Sequence, residues 1–290
     1  AKEVNLVNDT TIDITLREGM SFHDGMPVTA DDVKFTFDFI REWEVGPFIG
    51  SVEPVESVEI TGDLSVRVTL KEPYAPFFGF TLSYVYIFPK HIWENVTERE
   101  GLDDPSEWSD WDALLVGSGP FKLDYWRRGE ELKLDKHEGH FSDPKIDSIL
   151  RIVYGDMQSL VMGLQKKDID MINWNLSPIQ AQQLEKLDYV TVVNVPNHGF
   201  YPIHLNNRVK PFDDVAFRRA LAYAVPKKRI VEEFYEGYAV EANSMIGPMN
   251  EFWHNPDVEK FDLDLDKARS ILEEAGYEWD SEGKLYYPPE

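Results

Sequence analysis

The chain has 290 residues, with 53 acidic and 29 basic side chains, a formal net charge of −24 and no cysteine. The charge argues against nucleic acid as a partner, because phosphate binding requires lysine and arginine, and the lack of cysteine excludes disulfides and thiol catalysis. Hydrophobic residues at 42% and aromatic residues at 13% indicate a globular protein of about two domains. The carboxylates are dispersed and form no EF-hand-type loop, so they indicate a solvated acidic coat.

The first clear structural signal is a strand that ends at Leu16, followed by turns and a helix start. Asp24 precedes a glycine, and such an aspartate commonly folds back onto its own turn. His23 and Asp24 together resemble a proton-relay pair, but the sequence shows no geometric partners for such a relay. A structural role is therefore predicted for Asp24. Thr29 is predicted to cap the helix, with Asp32 placed to complete a capping box.

The helix that follows carries two apolar stripes. Val33, Phe37 and Ile40 share one face, and Phe35 and Phe39 make the second. A helix with this much aromatic surface is predicted to be held between two layers.

Residues 52–70 predict a β-hairpin that turns near Gly62-Asp63. The next segment, EPYAPFFGFTLSYVYIFPKHIW, is broken by three prolines and is too irregular for one element. Its rings either bury one another beneath a loop, which is the commoner fate of such residues, or line a recognition cleft. The rings in question are Tyr74, Phe77, Phe78, Phe80, Tyr84 and Tyr86.

A second hairpin is predicted for residues 117–141, with its turn at Arg128-Gly129. The GSG sequence that opens it lacks the pattern of a nucleophile elbow and that of a phosphate loop. His137 and His140 are predicted on opposite faces of an extended chain, and their spacing does not match the H-E-x-x-H zinc motif. Neither a metal site nor a cofactor is predicted.

From Ser148 the pattern changes to an alternation of strands and helices, which is typical of an α/β layer structure. Strands are predicted at residues 148–154, 168–172, 190–195 and 197–205, and helices begin near Asp156, Ser177, Pro211, Pro226 and Asp266. The first strand-helix-strand unit is expected to be parallel and right-handed. The last residues read as a hairpin with no closing element, so more of the fold is expected beyond Glu290.

Four separated segments resemble one family, the extracytoplasmic solute-binding proteins of ABC importers, in the dipeptide/oligopeptide-binding class (family 5). They are LREGMSFHDGMPVTADDVKFTF, GSGPFKLDYWRRGEELKLDKHEGHF, GLQKKDIDMI and NNRVKPFDDVAFRRALAYAVPKKRIVEEFYEGYA. The later DKARSILEEAGYEWDSEGK is similar to the helix and turn that follow them in the family. The order and spacing of the segments also fit, and together they cover most of the chain.

The resemblance implies an α/β fold of the periplasmic-binding-protein-like type II, two-lobed with an additional small α+β domain and an incomplete second lobe. Residues 1–113 are expected to form the small extra α+β domain, 114–199 part of the main α/β lobe, and 200–290 the entry to the second lobe. Family members are longer, so the chain is expected to be truncated at both ends. The acidic residue with which peptide-binding members hold the ligand's amino terminus is expected after Glu290.

The resemblance also implies a function without catalysis. The protein is expected to be a monomer outside the cytoplasm, periplasmic or anchored to the cell surface, that captures a peptide-like solute and delivers it to a membrane permease. An oligosaccharide-binding member of the same class is the alternative, because aromatic-rich sites stack sugar rings. An acidic glycoside hydrolase with two facing carboxyl groups is the less favoured rival, and a structural surface protein without a cleft is a third.

The best candidate for a ligand-binding segment is the loop of Asn173, Trp174 and Asn175, because loops at the carboxyl ends of α/β strands collect ligands. Trp174 either stacks on a side chain or sugar ring of the solute or plugs a seam between lobes, and both interpretations stay open. Further candidates, chosen for their proximity to expected lobe junctions, are Tyr84, Tyr201 and Asn206.

Overall fold

The protein is described by a computed structural model for residues 1–195 and 199–288. The strands are β1 (Glu3–Asn8), β2 (Thr11–Thr15), β3 (Val55–Gly62), β4 (Ser65–Leu70), β5 (Phe121–Arg127), β6 (Glu131–Lys136), β7 (Ser148–Ile152), β8 (Glu278–Trp279) and β9 (Leu285–Tyr286). The helices are α1 (Ala30–Glu42), α2 (Ile49–Val52), α3 (Thr81–Tyr84), α4 (Lys90–Trp93), α5 (Val96–Glu100), α6 (Trp111–Leu114), α7 (Met157–Lys166), α8 (Pro178–Leu184), α9 (Val215–Ala224), α10 (Lys227–Arg229) and α11 (Leu265–Glu274). The chain divides into unit 1, Ala1–Tyr154, and unit 2, Gly155–Glu290.

Unit 1 begins with an antiparallel sheet in the order β1-β2-β4-β3. The predicted strand and hairpin are confirmed, with Ile12 opposite Val68 and Ile14 opposite Val66 between β2 and β4. These side chains are buried, because alternate residues of each strand point to the same face and meet α1 there. The core of unit 1 therefore lies between this sheet and α1.

The start of α1 has the predicted cap. The backbone N–H and the hydroxyl of Thr29 both donate to Oδ2 of Asp32, at 2.8 and 2.9 Å. Asp24 has the predicted structural role, since its Oδ1 accepts the backbone N–H of Met26 at 3.1 Å. Its other oxygen lies 2.6 Å from Nε2 of His91.

Both stripes of α1 are covered, as the sequence predicts. The Val33 stripe packs into the core against the sheet. On the second stripe, the Phe39 ring lies 6.0 Å from the Phe88 ring and 5.7 Å from the Trp93 ring, centroid to centroid. The helix is thus held between the sheet and an aromatic layer formed by the chain that follows β4.

A second antiparallel sheet, in the order β5-β6-β7, completes unit 1. The predicted hairpin is confirmed: Leu123 faces Leu134, and Gly129 takes the turn with a φ of +79° that suits glycine. The register shifts by a bulge between Leu123 and Tyr125. Every residue of β7 is exposed.

The prediction that His137 and His140 lie on opposite faces of an extended chain is wrong. The two residues flank a turn, closed by a hydrogen bond from the N–H of His140 to the carbonyl of His137 at 3.2 Å, and the rings lie 6.1 Å apart. β6 ends at Lys136, so the two-residue alternation of a strand no longer applies. Within residues 1–195 and 199–288, no group of three histidine, aspartate or glutamate side chains is arranged to hold a metal ion.

Unit 2 departs most from the sequence prediction. The strands predicted at 168–172 and 190–195 are not formed, and neither is the described part, 199–205, of the next one; residues 196–198 lie outside the described residues. A strand requires a hydrogen-bonded neighbour, and no ladder runs beside these segments in the described part of the chain. Their apolar side chains remain exposed, at 73% for Met171 and 71% for Val195. The predicted right-handed strand-helix-strand unit is therefore absent from the described structure.

The helices of unit 2 follow the sequence more closely. Asp156 caps α7 through Ser159 at 2.7 Å, and Ser177 and Gln180 cap α8, as predicted. α9 packs against α11 around a small core that includes Tyr223 and Leu272. The helix predicted to begin near Pro226 starts at Lys227, with Pro226 as its N-cap, and continues as a π-helical turn. None of the described helices combines the length and the apolar character that a bilayer crossing requires.

Two histidines, the half-buried His23 and the buried His137, connect the first part of unit 1 with the start of β5, and we call this contact the histidine joint. The N–H of Gly117 donates to Nδ1 of His23 at 3.1 Å, so Nε2 carries the proton and donates to the carbonyl of Gly119 at 3.2 Å. Nδ1 of His137 lies 3.0 Å from the same carbonyl. Burial lowers the pKa of His23, and the neighbouring His137 adds to this effect.

The histidine joint predicts a loss of stability in mild acid. Because the pKa of His23 is lowered in the folded protein, its contribution is complete above the ordinary value of 6.5 and is lost as the pH falls below it. Protonation of Nδ1 removes the acceptor for Gly117, which costs about 1 kcal/mol. Chemical denaturation at about pH 7.5 and about pH 5.5, on either side of the histidine pKa, measures this loss.

The matched variant is His23→Gln, whose amide accepts from one backbone group and donates to the other without titrating. We expect its unfolding free energy to fall less between the two pH values than that of the parent protein. His204→Gln, at an exposed position, is the control and is expected to behave like the parent. Equal losses in the parent and in His23→Gln would contradict the assigned protonation state.

Candidate functional site

Unit 1 presents a set of neighbouring aromatic rings, here called the aromatic ledge: Phe48, Phe80, Tyr84 and Tyr86. The rings of Phe80 and Tyr84 stack with centroids 5.7 Å apart and planes 7° from parallel. Phe48 lies 5.9 Å from the Tyr84 ring and 5.7 Å from the Tyr86 ring. Phe80 is 44% exposed, Tyr84 46% and Tyr86 67%.

The expectation that the rings after β4 bury one another is therefore wrong for most of them. Phe77 is fully buried, and Tyr74 packs against the core of unit 1. Phe78, by contrast, is 46% exposed, and the three ledge rings of this segment are exposed to a similar or greater degree. These exposures agree with the alternative, in which the rings line a recognition cleft, and that alternative stays a prediction.

Buried polar contacts fix the backbone of the ledge at both ends. The hydroxyl of Thr81 donates to the carbonyl of Ser51 at 2.7 Å. At the other end, the N–H of Phe88 donates to Oγ1 of Thr36 at 2.8 Å, and the N–H of Lys90 donates to Oδ1 of Asp32 at 3.0 Å. Because the helix α1 supplies both acceptors, the ledge is attached to the most buried helix of unit 1.

The ledge suits the recognition of a solute. Aromatic rings held in place bury a large area with little loss of conformational entropy. Within residues 1–195 and 199–288, the hydroxyl groups of Tyr84 and Tyr86 make no hydrogen bond to the protein. They are available as donors and acceptors for a ligand. The sequence placed Phe80, Tyr84 and Tyr86 among the rings of a possible recognition cleft and named Tyr84 as a ligand contact. Phe48 was missed because it lies upstream of that aromatic segment.

The predicted loop Asn173, Trp174 and Asn175 connects α7 with α8 and is exposed throughout. Trp174 is 69% exposed, and its ring meets no other aromatic ring in the part of the chain that the structure describes. The strand that was expected to position this loop is not formed. The loop therefore stays a predicted ligand contact.

Tyr201 and Asn206 lie in different local settings. Tyr201 is 89% exposed, and its ring lies 5.7 Å from that of Tyr235, whose pKa is raised by burial and by this neighbour. Oδ1 of Asn206 accepts the N–H of Arg208 at 3.1 Å, so this side chain forms its own turn. Both residues stay predictions as ligand contacts.

The pKa values of the carboxyl groups are relevant to the alternative of a glycoside hydrolase. A general acid of a glycosidase needs a raised pKa. The pKa of Asp13 is lowered by a hydrogen bond from Arg67, and that of Asp156 by the backbone N–H of Ser159. In residues 1–195 and 199–288, every carboxyl group with a shifted pKa is shifted downward.

Comparison with known proteins gives one family. The model described as bacterial extracellular solute-binding proteins, family 5 Middle, matches residues 1–290. The chain is 31% identical over 270 residues to the oligopeptide-binding protein AppA of Bacillus subtilis, and the matched region covers 91% of this chain and 48% of that protein. It is 26% identical over 284 residues to the dipeptide-binding protein of Escherichia coli, covering 91% and 51%.

Solved structures agree on the fold. AppA from Bacillus subtilis in complex with a nonapeptide matches with a TM-score of 0.73 and 28% identity, over 99% of this chain and 57% of that chain. A periplasmic oligopeptide-binding protein from Thermotoga maritima matches with a TM-score of 0.81 and 26% identity, over 99% and 55%. Its mannohexaose-bound form matches with a TM-score of 0.72, 26% identity and the same coverage.

The predicted α/β fold class of the periplasmic binding proteins is thereby confirmed. The chain spans about half the length of the curated relatives it matches. The predicted domain limits at 113/114 and 199/200 stay predictions.

The attachment of the ledge to α1 predicts the effect of Thr36→Val. The substitution keeps the shape of the side chain but leaves the N–H of Phe88 buried without its acceptor, so we expect the unfolding free energy to fall by about 1–3 kcal/mol. Thr69→Val, on the half-exposed face of β4, is the control and is expected to change it by less than about 0.5 kcal/mol. Chemical denaturation measures both, and equal effects would show that Thr36 does not anchor the ledge.

Proposed function

The chain belongs to family 5 of the bacterial extracellular solute-binding proteins, and from this we propose that it is part of the solute-binding component of an ABC importer. The protein captures a peptide-like solute outside the membrane and delivers it to the membrane permease. The aromatic ledge carries this proposal. Its rings Phe80, Tyr84 and Tyr86 are exposed and lie outside the core of unit 1. Hydrogen bonds to buried groups fix the backbone that carries them.

A peptide is the solute class that the relatives support. One is named an oligopeptide-binding protein and another a dipeptide-binding protein, and the AppA structure contains a nonapeptide. The ledge offers rings for apolar side chains, and the asparagines at 173 and 175 offer amide donors and acceptors that match a peptide backbone. In this proposal Trp174 stacks on a side chain of the solute.

Capture works through a shift of populations. The whole protein exchanges between open and closed forms, and the solute favours the closed form by adding contacts that exist only there. The affinity reflects that difference, so a ligand that contacts both forms equally would shift nothing. Release to the permease then requires that the permease favour the open form.

An oligosaccharide is the second candidate, because the Thermotoga maritima relative has been solved with bound mannohexaose. Flat, exposed rings such as Tyr84 and Trp174 stack on sugar rings as well as on side chains. The two candidates differ in charge, since a peptide has charged termini and a neutral oligosaccharide has none. Salt dependence of binding therefore distinguishes them.

The proposal includes no catalysis. The family and the relatives are binding proteins of transporters, and the shifted carboxyl groups lack the raised pKa of a general acid. We further propose a location outside the cytoplasm, a monomeric state, and no role for nucleic acid, because the net charge of −24 repels phosphates.

The proposed stacking predicts the effect of Trp174→Ala on solute binding. Isothermal titration of the full-length protein that contains these residues, with a nonapeptide and separately with mannohexaose, measures the affinity. We expect the variant to bind at least about tenfold more weakly, because it loses a large aromatic contact. Trp253→Ala is the matched control: Trp253 is 68% exposed and Trp174 is 69% exposed.

The control is expected to bind within about twofold of the parent, since Trp253 lies outside the proposed contacts. Tight binding of the nonapeptide supports the peptide proposal, and tight binding of mannohexaose alone supports the alternative. Unchanged affinity of Trp174→Ala for the bound solute would contradict the role of this loop. Binding of neither solute would remove the support for the proposed function.

A further inference from the structure

A pocket of about 370 Å³ lies beside the turn between β5 and β6 and shares no residue with the aromatic ledge. Its volume is in the range of small-ligand sites. Two tryptophans line it, Trp111 at the start of α6 and Trp126 near the end of β5. They are 46% and 42% exposed, and their rings meet edge to face with centroids 5.7 Å apart.

Arg128, in the hairpin turn, lies over both rings. Its guanidinium carbon is 5.0 Å from the centroid of Trp111 and 5.1 Å from that of Trp126. Attraction between the cation and the two ring faces holds the long side chain in one place. The entropy cost of fixing an arginine before it binds a ligand is thereby reduced.

Arg127 has a carboxylate partner, whereas the neighbouring Arg128 has none in the described part of the chain. Arg127 lies over Tyr125 and donates to Oε1 of Glu131 at 2.9 Å. Arg128 makes no ion pair and donates no hydrogen bond to any residue in 1–195 or 199–288. This is notable in a chain with 53 acidic and 29 basic residues, where a carboxylate partner is easily found.

The free guanidinium selects the chemistry of the ligand. Its fork of N–H groups matches the two oxygens of a carboxylate. Of the carboxylates that line the pocket, Asp124 pairs with Nζ of Lys133 at 2.7 Å, a cation that Asp135 also contacts at 2.9 Å. Asp112 makes no ion pair in the described part of the chain. Its charge repels anions, and because Arg128 supplies a single positive charge to the pocket lining, a ligand with one negative charge is favoured over a ligand with two.

We propose that this pocket binds a small monocarboxylate whose body is aromatic or aliphatic. The carboxylate pairs with Arg128 in the two-pronged manner, and the body covers the exposed surface of Trp111 and Trp126. The site is independent of the aromatic ledge and of the solute proposed above. It adds a second class of ligand to this protein.

The test uses the full chain and phenylacetate, titrated by calorimetry and by the NMR signals of the indole N–H groups. Arg128→Gln is expected to weaken binding at least about tenfold, because charge-assisted hydrogen bonds are lost. Arg127→Gln is the matched control and is expected to stay within about twofold, since Arg127 is engaged by Glu131. Phenethylamine and inorganic phosphate are expected not to bind.

Circular dichroism checks that both variants fold, and Arg128→Lys serves as a second variant that keeps the charge but loses the fork. We expect its affinity to lie between those of the parent and of Arg128→Gln. Unchanged affinity in Arg128→Gln and Arg128→Lys would overturn the proposal. So would equal binding of phenethylamine or phosphate, or a dissociation constant for phenylacetate weaker than about 10 mM.

Discussion

Unit 1 depends on two buried polar side chains of α1. Asp32 is 5% exposed and accepts three hydrogen bonds, two from Thr29 and one from the N–H of Lys90. Thr36 is fully buried, donates to the carbonyl of Asp32 at 2.7 Å and accepts from Phe88. Because an unpaired buried N–H costs about 1–3 kcal/mol, the segment that follows the ledge has little freedom to leave the helix. The same helix therefore packs into the core of unit 1 and anchors the segment that carries the aromatic ledge.

The sequence predicts one half of this arrangement. The cap by Thr29 and Asp32 and the two stripes of α1 are local patterns, and the structure confirms them. The hydrogen bond from the N–H of Phe88 to Thr36 joins residues 52 positions apart, so no local sequence pattern predicts it. The rings of this segment were expected to be buried because aromatic residues commonly are, and their exposure depends on tertiary contacts that the local sequence does not show.

The strands that are not formed in unit 2 also show that local sequence does not report tertiary contacts. Residues 168–172 and 190–195 have the composition of strands. A β-ladder, however, forms between two segments, whereas β-propensity describes a single segment and says nothing about its partner. Without a neighbour in the described part of the chain, Met171 and Val195 remain exposed. The Trp174 loop was chosen because it follows such a strand, and since that strand is not formed, the loop stays a predicted ligand contact.

We propose that the whole protein holds its solute and releases it unchanged. The most direct measurement incubates the full-length protein with a nonapeptide, removes the unbound peptide, and determines by mass spectrometry what is retained and what is recovered after denaturation. We expect a retained peptide that is recovered with its original mass. Recovery of cleaved fragments, or no retained solute of either proposed class, would contradict it.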